Sequence, residues 1–159
     1  MVQLTLITVG TLKESYLKEA VAEYKKRLSQ FAKVEEISIS EERIKNEDSD
    51  KEILAALDLE ATKILSAIPT GAYKIAMCVE GRALSSEELS QAIREASDTK
   101  GKIALVIGSS HGLSERVKAA CDLKLSVSRM TFPHQLMRVI LYEALYRAFT
   151  IIAGKKYHK

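Results

Sequence analysis

Apolar residues change their period several times along this chain, and the period separates strands from helices. Leu4, Leu6, Ile7 and Val9 form a short apolar run closed by Gly10, which predicts a buried strand. From Leu12 to Leu28 the spacing becomes helical, through Tyr16, Leu17, Ala20, Val21, Tyr24 and Leu28, with Lys13, Lys18, Lys25, Lys26 and Arg27 on the opposite face. Val34, Ile37 and Ile39 predict a second strand, and the acid-rich stretch Glu41 to Asp50 has no period and reads as a loop. Ser49 and Glu52 have capping-box spacing ahead of Ile53, Leu54, Leu57, Ala61, Ile64, Leu65 and Ile68, so a helix starts there and stops at Pro69-Thr70-Gly71. Lys74 to Val79 is a third strand, ended by Glu80-Gly81. A second capping box, Ser85 to Glu88, opens a helix through Leu89, Ile93 and Ala96. The continuous apolar run Ile103 to Ile107 fits a strand buried on both faces of a parallel sheet. A short helix from Ser114 to Ala120, a last strand from Leu123 to Val127, and a long helix from Pro133 to Ala153 complete the chain, with Gly154 as the stop.

Alternating strands and helices predict an α/β fold with a mostly parallel sheet and helices on both faces. No repeat or Pro/Gly/Ser-rich linker divides the chain, so residues 1–159 are expected to form a single domain. The final helix carries apolar residues on most sides, from Leu136, Met137, Val139 and Ile140 to Phe149, Ile151 and Ile152. Such a helix needs cover on most sides, which predicts a homodimer built partly on it.

Composition narrows the class. With 47 % apolar and 28 % charged residues, the chain is globular and not disordered. No apolar run reaches the roughly 18 residues that would span a membrane. Met1 to Ile7 lacks a basic leader and a small-residue cleavage site, so a cytoplasmic location is expected. Cys78 and Cys121 are far apart and share no ligand spacing with His111, His134 or His158, so neither a metal nor a disulfide is expected, only two buried reduced thiols. Net charge is only +3, but six Lys/Arg and one acid, Glu143, lie from Arg129 onward, a balance of +5 against −2 for the rest. The positive charge is segregated in the last part of the chain.

The unusual residues are there too. Gly108-Ser109-Ser110-His111-Gly112-Leu113 follows a buried strand, where an open α/β sheet places ligands. It lacks the dinucleotide glycine spacing, the ribose-binding acid and a Walker lysine, and an ordinary tight turn explains it equally well. Val127 to Phe132 could rim the same crevice, or simply connect to the last helix and cap it through Ser128 or Thr131. His134 and Arg138 share a helix face, as an anion-binding pair or as a surface pair. Arg147 lies four residues after Glu143, the spacing of an intrahelical ion pair. The terminal Lys155-Lys156-Tyr157-His158-Lys159 combines phosphate-binding charge, a stacking ring and a titratable imidazole in what is otherwise a frayed tail.

Several of these segments together carry a family resemblance. Val106 to Leu113, Met130 to Val139 (Met-Thr-Phe-Pro-His-Gln-Leu-Met-Arg-Val), Glu143 to Ala148 and the closing Tyr157-His158-Lys159 resemble the RlmH-type ribosomal RNA methyltransferases of the SPOUT superfamily, as do Val9-Gly10, Leu12-Lys13 and the overall length. The resemblance implies a deep C-terminal trefoil knot and a homodimer. It implies S-adenosylmethionine as methyl donor, and N3 of a pseudouridine in the helix 69 loop of 23S rRNA, in the assembled ribosome, as acceptor. It assigns the donor to Met77, Gly108, Val127, Ser128, Arg129, Met130, Thr131 and Phe132, and substrate handling or catalysis to His134, Arg138, Arg147, Tyr157 and His158. Ser109 stands where the family commonly has a second glycine, and His111 where Asn is frequent, so a narrower donor pocket is expected. A non-catalytic RNA-binding or ribosome-associated module is the competing reading. A dinucleotide-dependent oxidoreductase is disfavoured by the missing fingerprint.

Overall fold

The computed structural model describes residues 1–159. Its elements are β1 (Val2–Val9), α1 (Ser15–Leu28), β2 (Ala32–Ile39), α2 (Asp50–Ala67), β3 (Tyr73–Ala83), α3 (Ser86–Lys100), β4 (Lys102–Ile107), α4 (Glu115–Ala120), β5 (Leu123–Ser126) and α5 (His134–Ile152). The five strands form one sheet in the order β2-β1-β4-β3-β5, and each neighbouring pair is parallel. The expected α/β architecture with helices on both faces is what forms.

Strand alternation divides the core in two. Leu4 and Leu6 of β1, with Ile75, Ile103, Leu105 and Leu125, face a layer made by α1, α3 and α5. Ile7 and Val9, with Ala76 and Val106, face α2 and α4. Both expected caps are present: Ser49 Oγ accepts from the Glu52 N–H at 3.3 Å and Ser85 Oγ from the Glu88 N–H at 3.1 Å. Glu52 does not close its box on Ser49 but accepts the Asn46 N–H at 2.9 Å, which shapes the loop before α2. That loop is held further by the buried Glu60, whose carboxylate accepts the Glu42 N–H at 2.8 Å.

Two expectations need correction. β3 does not end at Glu80-Gly81. Met77 and Arg82 both align with Leu125, so residues 78–81 bulge out and the strand resumes to Ala83. Glycine at 81 is there for close approach, not termination. A Cβ at that position would lie 2.7 Å from the Lys124 carbonyl carbon and 2.8 Å from that of Leu125. The cover of α5 also differs. α1 and α3 flank it over the sheet, and Leu141, Tyr142, Leu145, Ala148 and Phe149 are buried within the single chain. Leu136 is 38 % exposed and Val139, Ile140, Ile151 and Ile152 are half-buried, so part of the helix's apolar surface is left incompletely covered by the single chain.

Gly81→Ala is therefore expected to destabilise the protein by about 1–3 kcal/mol, because the added methyl meets backbone and not a movable side chain. Urea denaturation of the two proteins measures the difference.

Candidate active site

The carboxyl ends of β3, β4 and β5 open into a cleft of about 570 Å³, within the range of roughly 300–1,000 Å³ usual for small-molecule sites. One wall is the β3 end and bulge from Met77 to Glu80, a second is Ile107 to Leu113, and a third is Leu125 to Phe132 with the start of α5. Parallel strands leave peptide groups unpaired at this edge, which is why open α/β sheets bind ligands there.

Each loop is held by its own short hydrogen bonds. Gly112 adopts φ +84° and its N–H donates to the Ser109 carbonyl at 2.9 Å, bringing the Gly112 carbonyl so close to Gly108 that a side chain at 108 would fall onto it. Ser109 lines the cleft, but its hydroxyl is engaged inside the turn, accepting the His111 N–H at 3.3 Å. Its backbone has negative φ, so the second glycine is not needed for conformation. The His111 ring also lines the cleft, with Nε2 3.9 Å from Glu47. In the third wall, Ser126 Oγ donates to the Ser128 carbonyl at 2.9 Å and Ser128 Oγ accepts the Met130 N–H at 3.0 Å. Neither Ser128 nor Thr131 caps α5, since Pro133 occupies that position and no side chain caps the helix.

Of the expected donor-site residues, Met77, Gly108, Val127, Ser128, Met130, Thr131 and Phe132 line the cleft, and Arg129 is exposed outside its lining. His134 lines it as well. Burial, then the neighbouring Arg138 charge, hold the His134 imidazole below its ordinary pKa; Lys13 adds to this and Glu41 opposes it. The ring is neutral at pH 7. Lys118 and Glu80 line the cleft too and are paired to each other, joining α4 to the β3 bulge. No sequence spacing marks that pair, because it exists only once residues 78–81 bulge. Cys78 lines the cleft and Cys121 lies nearby, both half-buried instead of fully buried, and burial raises both thiols, Cys121 to about 11.

Arg138 is not in the cleft. Its side chain is 2 % exposed and donates to the carbonyls of Val9 at 2.7 Å and Gly10 at 2.9 Å, at the end of β1. It is neither an exposed anion-binding group nor half of a surface pair. Arg147, Tyr157 and His158 are brought together, but along α5 and away from the cleft lining. Arg147 pairs with Glu143 at 2.7 Å, as its spacing predicts, and lies over the Tyr157 ring at 4.7 Å. Tyr157 donates to Glu143 at 3.0 Å and meets Tyr146 edge-on at 4.8 Å. His158 sits between Arg147, at 3.3 Å from Nδ1, and Glu87, at 2.7 Å from Nε2. The tail is docked, not frayed.

A parallel sheet with helices on both faces and a ligand-sized cleft beside the last strand defines a small α/β protein with its binding site at the carboxyl ends of the strands. Comparison with known proteins is specific. The family model described as "Predicted SPOUT methyltransferase" matches residues 2–158. A protein of Caldicellulosiruptor bescii named ribosomal RNA large subunit methyltransferase H is 49 % identical over 97 % of this chain and 98 % of its own length. The protein of the same name from Clostridium novyi is 48 % identical over 98 % of this chain and 99 % of its own. Among solved structures, a "Probable Methyltransferase" from Bordetella pertussis superposes with a TM-score of 0.60 at 13 % identity, covering 93 % of this chain and 95 % of that one. The tRNA (m1G37) methyltransferase of Aquifex aeolicus gives a TM-score of 0.50 at 15 % identity, covering 91 % and 69 %. These two likenesses concern the fold alone. The chain belongs to the SPOUT methyltransferase family, and it is an enzyme that uses a methyl donor.

Two outcomes follow from the geometry. Arg138→Ala leaves two strand-end carbonyls without their charged donor and is expected to cost about 2–4 kcal/mol in urea denaturation. His134 has a folded pKa below its unfolded value of about 6.5, so the unfolded chain binds more protons between those two values. Its contribution to stability is present above pH 6.5 or so and is lost as pH falls toward the folded pKa. His134→Gln is expected to flatten the loss of stability as pH falls below about 6.5 in thermal denaturation.

Proposed function

We propose that this protein is an S-adenosylmethionine-dependent methyltransferase that modifies N3 of a pseudouridine in the helix 69 loop of 23S rRNA, acting as a homodimer on the assembled ribosome in the cytoplasm. The near full-length relatedness to proteins named ribosomal RNA large subunit methyltransferase H carries this reading. The C-terminal trefoil knot belongs to it as the family's expected topology. The charge segregated after Arg129 supports an RNA acceptor.

The cleft suits the donor. Met77, Leu113, Leu125 and Phe132 offer an apolar surface, and the turns at Gly108–Gly112 and Ser126–Met130 bring backbone groups close to the space between them. The donor supplies a methyl group already activated on a sulfonium, so the chain must provide proximity and an acceptor nitrogen free of its proton. N3–H lies between two carbonyls, and its deprotonation puts charge on their oxygens, which a guanidinium can stabilise. Arg138 is committed to Val9 and Gly10, which leaves Arg147 for that role. Arg147, Tyr157 and His158 do not line the chain's own cleft, so in this reading they complete the cleft of a second copy. His158 then takes the proton. If His158→Ala leaves single-turnover methylation unchanged, the base is sought instead among His134 and His111, the two imidazoles that line the cleft.

Methyl transfer from labelled S-adenosylmethionine to ribosomes lacking this modification tests the whole reading. Label at one pseudouridine of the helix 69 loop is expected. Saturable donor binding with label elsewhere would move the acceptor, and the absence of both would favour a non-catalytic RNA-binding module.

A further inference from the structure

The segment joining β1 to α1 is tied to α5 in a way the donor cleft does not require. Besides the two bonds from Arg138 to Val9 and Gly10, Gln135 Oε1 accepts the Lys13 N–H at 3.1 Å, and Gln135 Nε2 reaches the Thr11 carbonyl at 3.5 Å. Residues 9–13 are thus fastened by two side chains from the first turns of α5, the same turns whose His134 lines the cleft. The two buried side-chain polar atoms without a partner, Thr8 Oγ1 and Arg138 Nε, are also at this end of β1. Buried polar atoms of that kind are uncommon.

What the fastened segment presents is Lys13. Its side chain is exposed and forms no ion pair, and it is near enough to His134 to depress the pKa of that ring. Its backbone is fixed while its ammonium is free. A lysine so held next to the start of α5, whose His134 lines the cleft, is suited to a phosphate of a strand entering the cleft.

We infer that the Gly10–Lys13 segment, clamped by Arg138 and Gln135, is the acceptor-facing wall of the site, and that the Lys13 ammonium contacts a backbone phosphate of the RNA next to the methylated base. This rests on the RNA methyltransferase reading above. It makes Arg138 and Gln135 positioning residues, acting on the acceptor through the segment they hold.

The test is steady-state methylation of unmodified ribosomes over a range of salt concentrations, with donor affinity measured separately by calorimetry. Lys13→Ala is expected to raise the KM for ribosomes about five- to tenfold and to lower the salt slope by about one. Donor affinity stays unchanged, and Lys13→Arg restores most of the loss. Gln135→Ala, which frees the Lys13 backbone but keeps the charge, is expected to raise the same KM while leaving the salt slope near the original. An unchanged ribosome KM and salt slope in Lys13→Ala would overturn the inference while the methyltransferase reading stands. No methyl transfer by the unaltered enzyme would overturn both.

Discussion

A buried guanidinium holds this structure together where its two ends meet. Arg138 donates to the carbonyls of Val9 and Gly10 across 129 and 128 positions of sequence. A charge taken out of water is expensive, and only good geometry with charged hydrogen bonds offsets it. The strand end supplies such geometry, because carbonyls there have run out of ladder partners. Tyr142, one turn further along α5, donates to Glu36 at 2.5 Å and extends the same polar seam toward β2. The exit of the first strand and the start of the last helix therefore behave as one body, and the cleft wall that α5 provides inherits its position from β1.

The donor cleft depends on a second constraint, the close approach of backbones at two glycines. Gly108 lies against Gly112, and Gly81 lies against the peptide groups of Lys124 and Leu125. The first narrows a turn so that its peptide groups face the cleft. The second lets a four-residue bulge rest on β5, which brings Glu80 to Lys118 and makes a wall from what would otherwise be the end of a strand. Neither glycine needs positive φ; those that do, such as Gly10 at +79° and Gly101 at +69°, close turns and a helix end. The site is made by absence of side chains as much as by their presence.

Local pattern made much of this readable. Period distinguishes β1 from α1, two serine caps mark α2 and α3, and the unbroken run from Ile103 to Ile107 signals a strand covered on both faces. Seven of the eight residues assigned to the donor by family resemblance line one cleft. What pattern does not encode is contact between distant segments. Arg138 looks like a surface residue on a polar helix start, because nothing local shows two carbonyls waiting for it. The bulge after Met77 looks like a terminator because Glu-Gly is ordinarily one. The apolar wrap of α5 suggests a large uncovered surface, since sequence cannot show α1 and α3 closing on either side.

The terminal tail differs from the rest in the kind of force that holds it. Tyr157 lies against Tyr146 and under Arg147, contacts worth about 0.5–1 kcal/mol each at exposed sites. The carboxylate that receives His158, Glu87, is 65 % exposed, so solvent screens that pair. No residue of the tail enters the main core. A segment fixed by side-chain pairing at a surface, and not by burial, exchanges one set of partners for an equivalent set at little cost. Arg147 differs in this respect, since it is anchored on α5 by Glu143 and remains where it is. The proposed service of His158 at a second copy's cleft asks only that these surface contacts be exchanged, and leaves the arginine on its helix.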